Sequence, residues 1–229
     1  MTPAFALRLV EFAAHPRPAL SQTAMTIVGN AISCSEAFIL LLLKSGIFPV
    51  IRGFLQRGIL LDEAWFAIQN ISAADSTLSH FLLNDQIFLT SLDLNLTPRG
   101  RKSGSTYASA LRTLLNLIMN SNSTSTIKLF EVFDATSALI FGLKSDDLNL
   151  LQGVLSALKR SHTVLSAQID NPQVESDFLD KIDDLDGLGE LDRIANTCEN
   201  DSLAAQAAKL IDIFQSTGNF DAKICDLTF

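Results

Sequence analysis

Cysteine, histidine and charge are all scarce in this chain of 229 residues, and each scarcity closes off a class of protein. The three cysteines, Cys34, Cys198 and Cys225, are far apart, odd in number and form no CxxC pair. Neither a disulfide framework nor a thiolate metal site is expected, and the pattern reads as reduced thiols of an intracellular protein. The histidines, His15, His80 and His162, have no carboxylate or cysteine at ligand spacing, which argues against a metal centre. No GxSxG, phosphate-binding loop or HExxH motif organises the serines and acids, so neither an enzyme nor a cofactor is expected. Long hydrophobic runs are missing too. The most apolar stretch, Ala37 to Leu43, is broken by Lys44 and Gly46, far short of the roughly 20 residues that cross a bilayer. The opening MTPAFALRLVEFAAHP has no basic segment ahead of an apolar core, so no signal peptide is read. No period-two alternation runs long enough for a sheet.

What is present is apolar and helical. Hydrophobic residues make up 48% of the chain and charged ones 18%, a balance that excludes disorder and suits layers of helices. Seventeen Lys plus Arg against 25 Asp plus Glu give a net charge of −8. Such a surface repels nucleic acid and anionic membrane and favours a cationic partner. Apolar residues recur at three- and four-residue spacing in 18–33 (Leu20, Ala24, Ile27, Val28, Ala31, Ile32), in 61–73 (Leu61, Ala64, Trp65, Ile68, Ile71) and in 107–119 (Leu111, Leu114, Leu115, Ile118). Breakers lie between: His15-Pro16-Arg17-Pro18, Ser45-Gly46, Gly58, Pro98-Arg99-Gly100, Asn171-Pro172 and Gly187.

Three of these helical segments are copies of one another. Thr26-Ile-Val-Gly-Asn30, Phe66-Ala-Ile-Gln-Asn70 and Arg112-Thr-Leu-Leu-Asn116 superimpose without gaps, with the asparagines 40 and then 46 residues apart. The longer step carries an inserted loop, Thr97–Gly104, and Leu155-Ser-Ala-Leu-Lys-Arg160 is a weaker fourth copy. Periods of roughly 40–47 residues mark stacked helical repeats of the armadillo/HEAT class. The expectation is one all-α domain over 1–229. It comprises a partial repeat at 4–33, full repeats at 35–73, 75–120 and 124–162, a capping repeat at 173–217 and a tail at 218–229. Ser45-Gly46 is the sharp break between a repeat's first two helices. The cap's acids (Glu175, Asp177, Asp180, Asp183, Asp184, Asp186, Glu190, Asp192) suit a layer with no further neighbour. Asp146-Asp147 and Asp183-Asp184 read as acids at helix N-termini.

Residues four apart share a helix face, so Thr26/Asn30, Phe66/Asn70 and Arg112/Asn116 should line up along a groove. An asparagine amide offers both a donor and an acceptor, and a row of them can clamp an extended peptide backbone without reading its side chains. Acidic neighbours would then select Lys or Arg. Asparagine near a helix end is also common for local reasons, so the register, not any single residue, carries the reading. Trp65 falls on the buried stripe and reads as core.

Glu63-Ala-Trp-Phe66-Ala-Ile-Gln-Asn70-Ile-Ser resembles the third helix of an importin alpha repeat. Leu7-Arg-Leu-Val-Glu-Phe-Ala-Ala-His-Pro16 with Thr26-Ile-Val-Gly-Asn30 is similar to that family's sixth repeat. Gly189-Glu-Leu-Asp-Arg-Ile194 through Ala208-Lys-Leu-Ile-Asp-Ile-Phe214 is similar to its tenth and last. The resemblance implies a right-handed superhelical armadillo solenoid of three-helix repeats, acting between cytoplasm and nucleus. It implies that basic nuclear localisation signals bind at the minor site through Asn30, Asn70 and Asn116, with Glu63 as an acidic groove residue. Thr26, Phe66 and Arg112 stand where the family usually has Arg, Trp and Trp, and Ser109 where it often has an acid. An export receptor at the acidic last repeat is implied as a further partner. The basic segment that binds importin beta, and the earlier repeats, are not in this sequence, so it reads as a C-terminal fragment. The alternative is an armadillo scaffold that meets a folded partner through its acidic end or convex face. Arg99-Gly-Arg-Lys102 reads as a solvated loop.

Overall fold

The computed structural model describes residues 1–96, 104–168 and 171–217. The Arg99–Lys102 patch, Cys225 and the tail lie outside them. The described residues form fourteen helices and no strand, and they divide into two compact units, Met1–Asn122 and Ser123 onward.

Unit 1 holds eight helices: α1 (Pro3–Ala13), α2 (Pro18–Cys34), α3 (Glu36–Lys44), α4 (Ile47–Arg57), α5 (Leu61–Ala74), α6 (Ser76–Leu83), α7 (Gln86–Leu96) and α8 (Gly104–Asn120). Local chemistry sets their ends. Pro3 and Pro18 occupy first-turn positions, where the missing N–H costs nothing. Ser35 and Asp75 cap α3 and α6 by accepting from the backbone N–H of Ala37 and Leu78. Gly46, at φ 90°, makes the joint at which α3 and α4 meet at 80°, and Gly58, at φ 67°, ends α4. Leu60 takes the same left-handed backbone at φ 48°, an uncommon conformation for leucine, just before α5. No single helix among the described residues is long and apolar enough to cross a membrane.

The longest helix of each repeat (α2, α5, α8) lies beside the next, with α1, α4 and α7 packed as a second row. Trp65 of α5 is fully buried against Phe88 of α7, ring centroids 5.9 Å apart. Its position in the core is the one its place on the apolar stripe predicts. Phe48 and Phe81 meet edge to face at 4.6 Å between α4 and α6.

Unit 2 holds α9 (Ser123–Val132), α10 (Ala135–Gly142), α11 (Leu148–Ser166), α12 (Pro172–Asp184), α13 (Gly187–Thr197) and α14 (Asp201–Thr217). Asp147 caps α11 through the N–H groups of Asn149 and Leu150, the role expected of an N-terminal acid. Asp183 and Asp184 correct the parallel expectation. Buried Phe178 and Ile182 carry α12 on to Asp184, so this pair closes a helix instead of opening one. Phe178 stacks edge-on against both Phe130 and Phe214, joining α9, α12 and α14.

His162 of α11 sits beside Phe214, within 3.2 Å of Thr217 Oγ1 and 3.9 Å from Glu175 Oε1. Burial pushes its pKa below 6.5, against the opposing pull of Glu175. The unfolded chain therefore takes the proton more readily than the folded one. Stability from neutral His162 is present above pH 6.5 and lost as pH falls through the lowered folded value. Protection factors of α14 amides against hydrogen exchange, with the slower intrinsic exchange at low pH divided out, should fall on acidification from pH 7 to 5. That pH response should shrink in His162→Gln, which keeps a polar partner for Thr217 but cannot titrate.

Candidate peptide-binding face of the third helices

The candidate site is the solvent-facing edge of α2, α5 and α8. All six paired residues occupy one register: Thr26 and Asn30 on α2, Phe66 and Asn70 on α5, Arg112 and Asn116 on α8. Thr26, Asn30 and Phe66 are exposed, while Asn70, Arg112 and Asn116 are half-buried. The structure thus brings the residues singled out from the sequence onto adjacent helices, and their hydrogen bonding separates them into three states.

No hydrogen bond of the Asn30 side chain competes with a ligand among those the structure gives. Asn70 donates one amide hydrogen to Phe66 O at 2.9 Å, one turn back on its own helix, which leaves a second hydrogen and the carbonyl oxygen. Asn116 is committed to packing. Its Nδ2 donates to Gln69 O at 3.1 Å and to Ser72 Oγ at 3.0 Å, both on α5. One turn on, Asn120 Nδ2 donates to Ser72 O at 3.0 Å. Asn116 keeps a carbonyl acceptor but has spent both donors in holding α8 to α5.

The neighbours of the ladder are also engaged. Glu63 accepts from Gln22 Nε2 at 2.7 Å, a bridge from α2 to α5, and Asp62 accepts from Ser105 and Thr106 across to α8. These two acids occupy the first turn of α5, where the helix dipole favours negative charge. Phe66 is 38% exposed, and its ring lies on Gly29 of α2: a Cβ there would fall 2.6 Å from Phe66 Cδ1. Gly29 therefore seats an aromatic platform between Asn30 and Asn70, one that an apolar stem or cation could cover.

Sequence reasoning missed Gly29, Gln22, Ser72 and Asn120. The spacing held one signal for them, since Asn116 and Asn120 lie one turn apart and face the small residue Ser72 one repeat earlier. On the acidic cap, Glu190 is held below its ordinary value: burial would raise it, but hydrogen bonds from Arg193 and Lys144 outweigh that. Asp177, Asp180, Asp184 and Asp192 are exposed.

No protein-family model matches the chain, and no curated protein matches it. Solved structures do. A computationally designed armadillo repeat protein for modular peptide recognition aligns at 17% identity with a TM-score of 0.71, covering 91% of this chain and 82% of its own. A second designed armadillo repeat protein aligns at 16% identity with a TM-score of 0.70, covering 92% and 82%. A third, in complex with the peptide (KR)4, aligns at 16% identity with a TM-score of 0.60, covering 91% and 98%. At such identity the likeness concerns the fold alone, and the chain is an all-α protein with the armadillo-repeat fold.

Proposed function

We propose that the protein is a peptide-binding adaptor whose α2–α5 face clamps the backbone of an extended basic peptide. The observation that carries this is the placement of Asn30 and Asn70 in one register on adjacent helices, with amide groups left over and the Phe66 ring between them. The designed armadillo protein in complex with (KR)4 supports the same use of the fold. The importin alpha resemblance supplies the narrower reading. In it the ligand is a nuclear localisation signal, the protein works in cytoplasm and nucleus, and an export receptor meets the acidic last repeat.

The test is a titration of fluorescein-labelled (KR)4 against the native chain and the double variant Asn30→Ala plus Asn70→Ala. Each asparagine lost removes hydrogen bonds worth about 0.5–1.5 kcal/mol apiece. Affinity should fall about tenfold or more, with the melting temperature little changed. Unchanged affinity sinks the ladder. The exposed acids of the cap favour a second reading, a scaffold meeting a basic folded partner there. Asp180→Lys plus Asp184→Lys would then abolish partner binding while leaving peptide binding intact.

A further inference from the structure

Unit 2 carries a cleft that the peptide clamp does not use. It measures about 580 Å³, within the roughly 300–1,000 Å³ of small-molecule sites. Its walls come from α9, α10 and α12, with α8 before them in the chain and α13 and α14 after. It is a gap between packed helices and not an open end of the stack. Phe130 and Val174 supply an apolar floor. Phe130 is fixed there by edge-to-face packing on buried Phe178, ring centroids 5.6 Å apart at 88°.

One wall holds a group that calls for a ligand. Thr136 lines the cleft, is only 4% exposed, and has no hydrogen-bond partner among the described residues. Thr90, Thr113 and Thr163 each donate to a carbonyl one turn back on their own helix. Thr136 stands in the first turn of α10, where its helix has no such carbonyl, so its hydroxyl is left for whatever enters the cleft.

Three carboxylates line the cleft as well. Glu131 accepts from Asn171 Nδ2 at 3.1 Å and Asp177 from Gln173 Nε2 at 2.7 Å, each through one oxygen, which leaves the other. Asp180 is exposed, one turn on from Asp177. Lys181, also in the lining, is held by Asp134 at 2.7 Å, which offsets its charge. No group of acids among the described residues is close enough to hold a metal ion. Separated negative charges over an apolar floor select a ligand whose positive charges are themselves separated by apolar links. An anion would be repelled, and a neutral apolar molecule would gain nothing from the acids.

We infer that the cleft between α9, α10 and α12 binds a linear aliphatic polyamine. Its methylene stems lie on Phe130 and Val174, one ammonium donates to Thr136 Oγ1, and others pair with Glu131, Asp177 and Asp180. Asn30 and Asn70 belong to unit 1, so this inference stands apart from the peptide clamp.

Spermine titrated calorimetrically into the full chain should bind with one-to-one stoichiometry. Thr136→Val keeps the shape of the side chain without its hydroxyl and should weaken binding about three- to tenfold. Asp177→Asn plus Asp180→Asn should weaken it about tenfold or more. Asp146→Asn plus Asp201→Asn removes the same charge from exposed positions outside the cleft and should change affinity less than about twofold. The Asp177 and Asp180 changes concern exposed side chains, so that comparison decides the matter even if Thr136→Val fails to fold. A folded Thr136→Val chain with native affinity, equal losses in the two aspartate pairs, or displacement of spermine by magnesium at equal charge would each overturn the inference. So would a chain that takes no spermine, while its binding of a basic protein is abolished by Asp180→Lys plus Asp184→Lys. That outcome would assign the acids to a folded partner.

Discussion

Trp65→Ala should destabilise unit 1 by about 3–5 kcal/mol, the usual cost of deleting a large aromatic side chain from a packed core. Its ring has no exposed surface and lies against Phe88 of α7, so the deletion leaves a cavity between the two helix rows that flanking side chains fill only in part. Unfolding in urea followed by circular dichroism measures the loss, because Trp65 is the chain's single tryptophan and its fluorescence goes with it. The conservative change should behave differently. The indole N–H of Trp65 is buried with no hydrogen-bond partner among the described residues. Trp65→Phe removes that unsatisfied donor, worth about 1–3 kcal/mol, against a smaller loss of volume. Its net effect should stay below about 1.5 kcal/mol, the range for volume-near hydrophobic swaps. A Trp65→Ala chain that unfolds at the native urea midpoint yet loses peptide affinity would place the indole on the groove instead of in the core.

How far the sequence could be read depended on what each feature requires of its neighbours. Helices and their ends were legible because they answer to local rules. The break at Ser45-Gly46 is a left-handed glycine joint, Pro18 and Pro172 start helices, and the spacing of Leu61, Ala64, Trp65 and Ile68 marks one buried face. The misplacement of Asp183-Asp184 arose because acids are equally at home on any solvated turn, and only the buried Ile182 beside them shows that α12 is still running. Ile27, on the apolar stripe of 18–33, is 43% exposed where that stripe predicts burial. The shared register of Thr26, Phe66 and Arg112 with their asparagines was legible from the period. What each amide does was not. Asn70 and Asn116 look alike in sequence, but one bonds its own helix and the other bonds the next. The difference is set by Ser72, whose hydroxyl stands within reach of α8, and by the distance between two helices, which no spacing in one segment encodes.

That difference gives the second large expectation. Asn116→Ala should cost about 2–3 kcal/mol, because it removes two hydrogen bonds between α5 and α8 and leaves Gln69 O and Ser72 Oγ without that donor. Asn30→Ala, at an exposed site, should stay within about 0.5 kcal/mol. Asn116→Asp should be worse than alanine, since a carboxylate turns two acceptors toward the carbonyl of Gln69 where two hydrogens stood. A Ser72→Ala background provides the control. If Asn116 acts through Ser72, the cost of Asn116→Ala should fall in that background, with a coupling of about 0.5–3 kcal/mol for groups in one network. Full additivity would show that the Ser72 bond contributes nothing. The consequence for binding studies is direct. Any fall in peptide affinity on replacing Asn116 mixes a lost ligand contact with a loosened α8, so the clamp is measured cleanly only at Asn30 and Asn70.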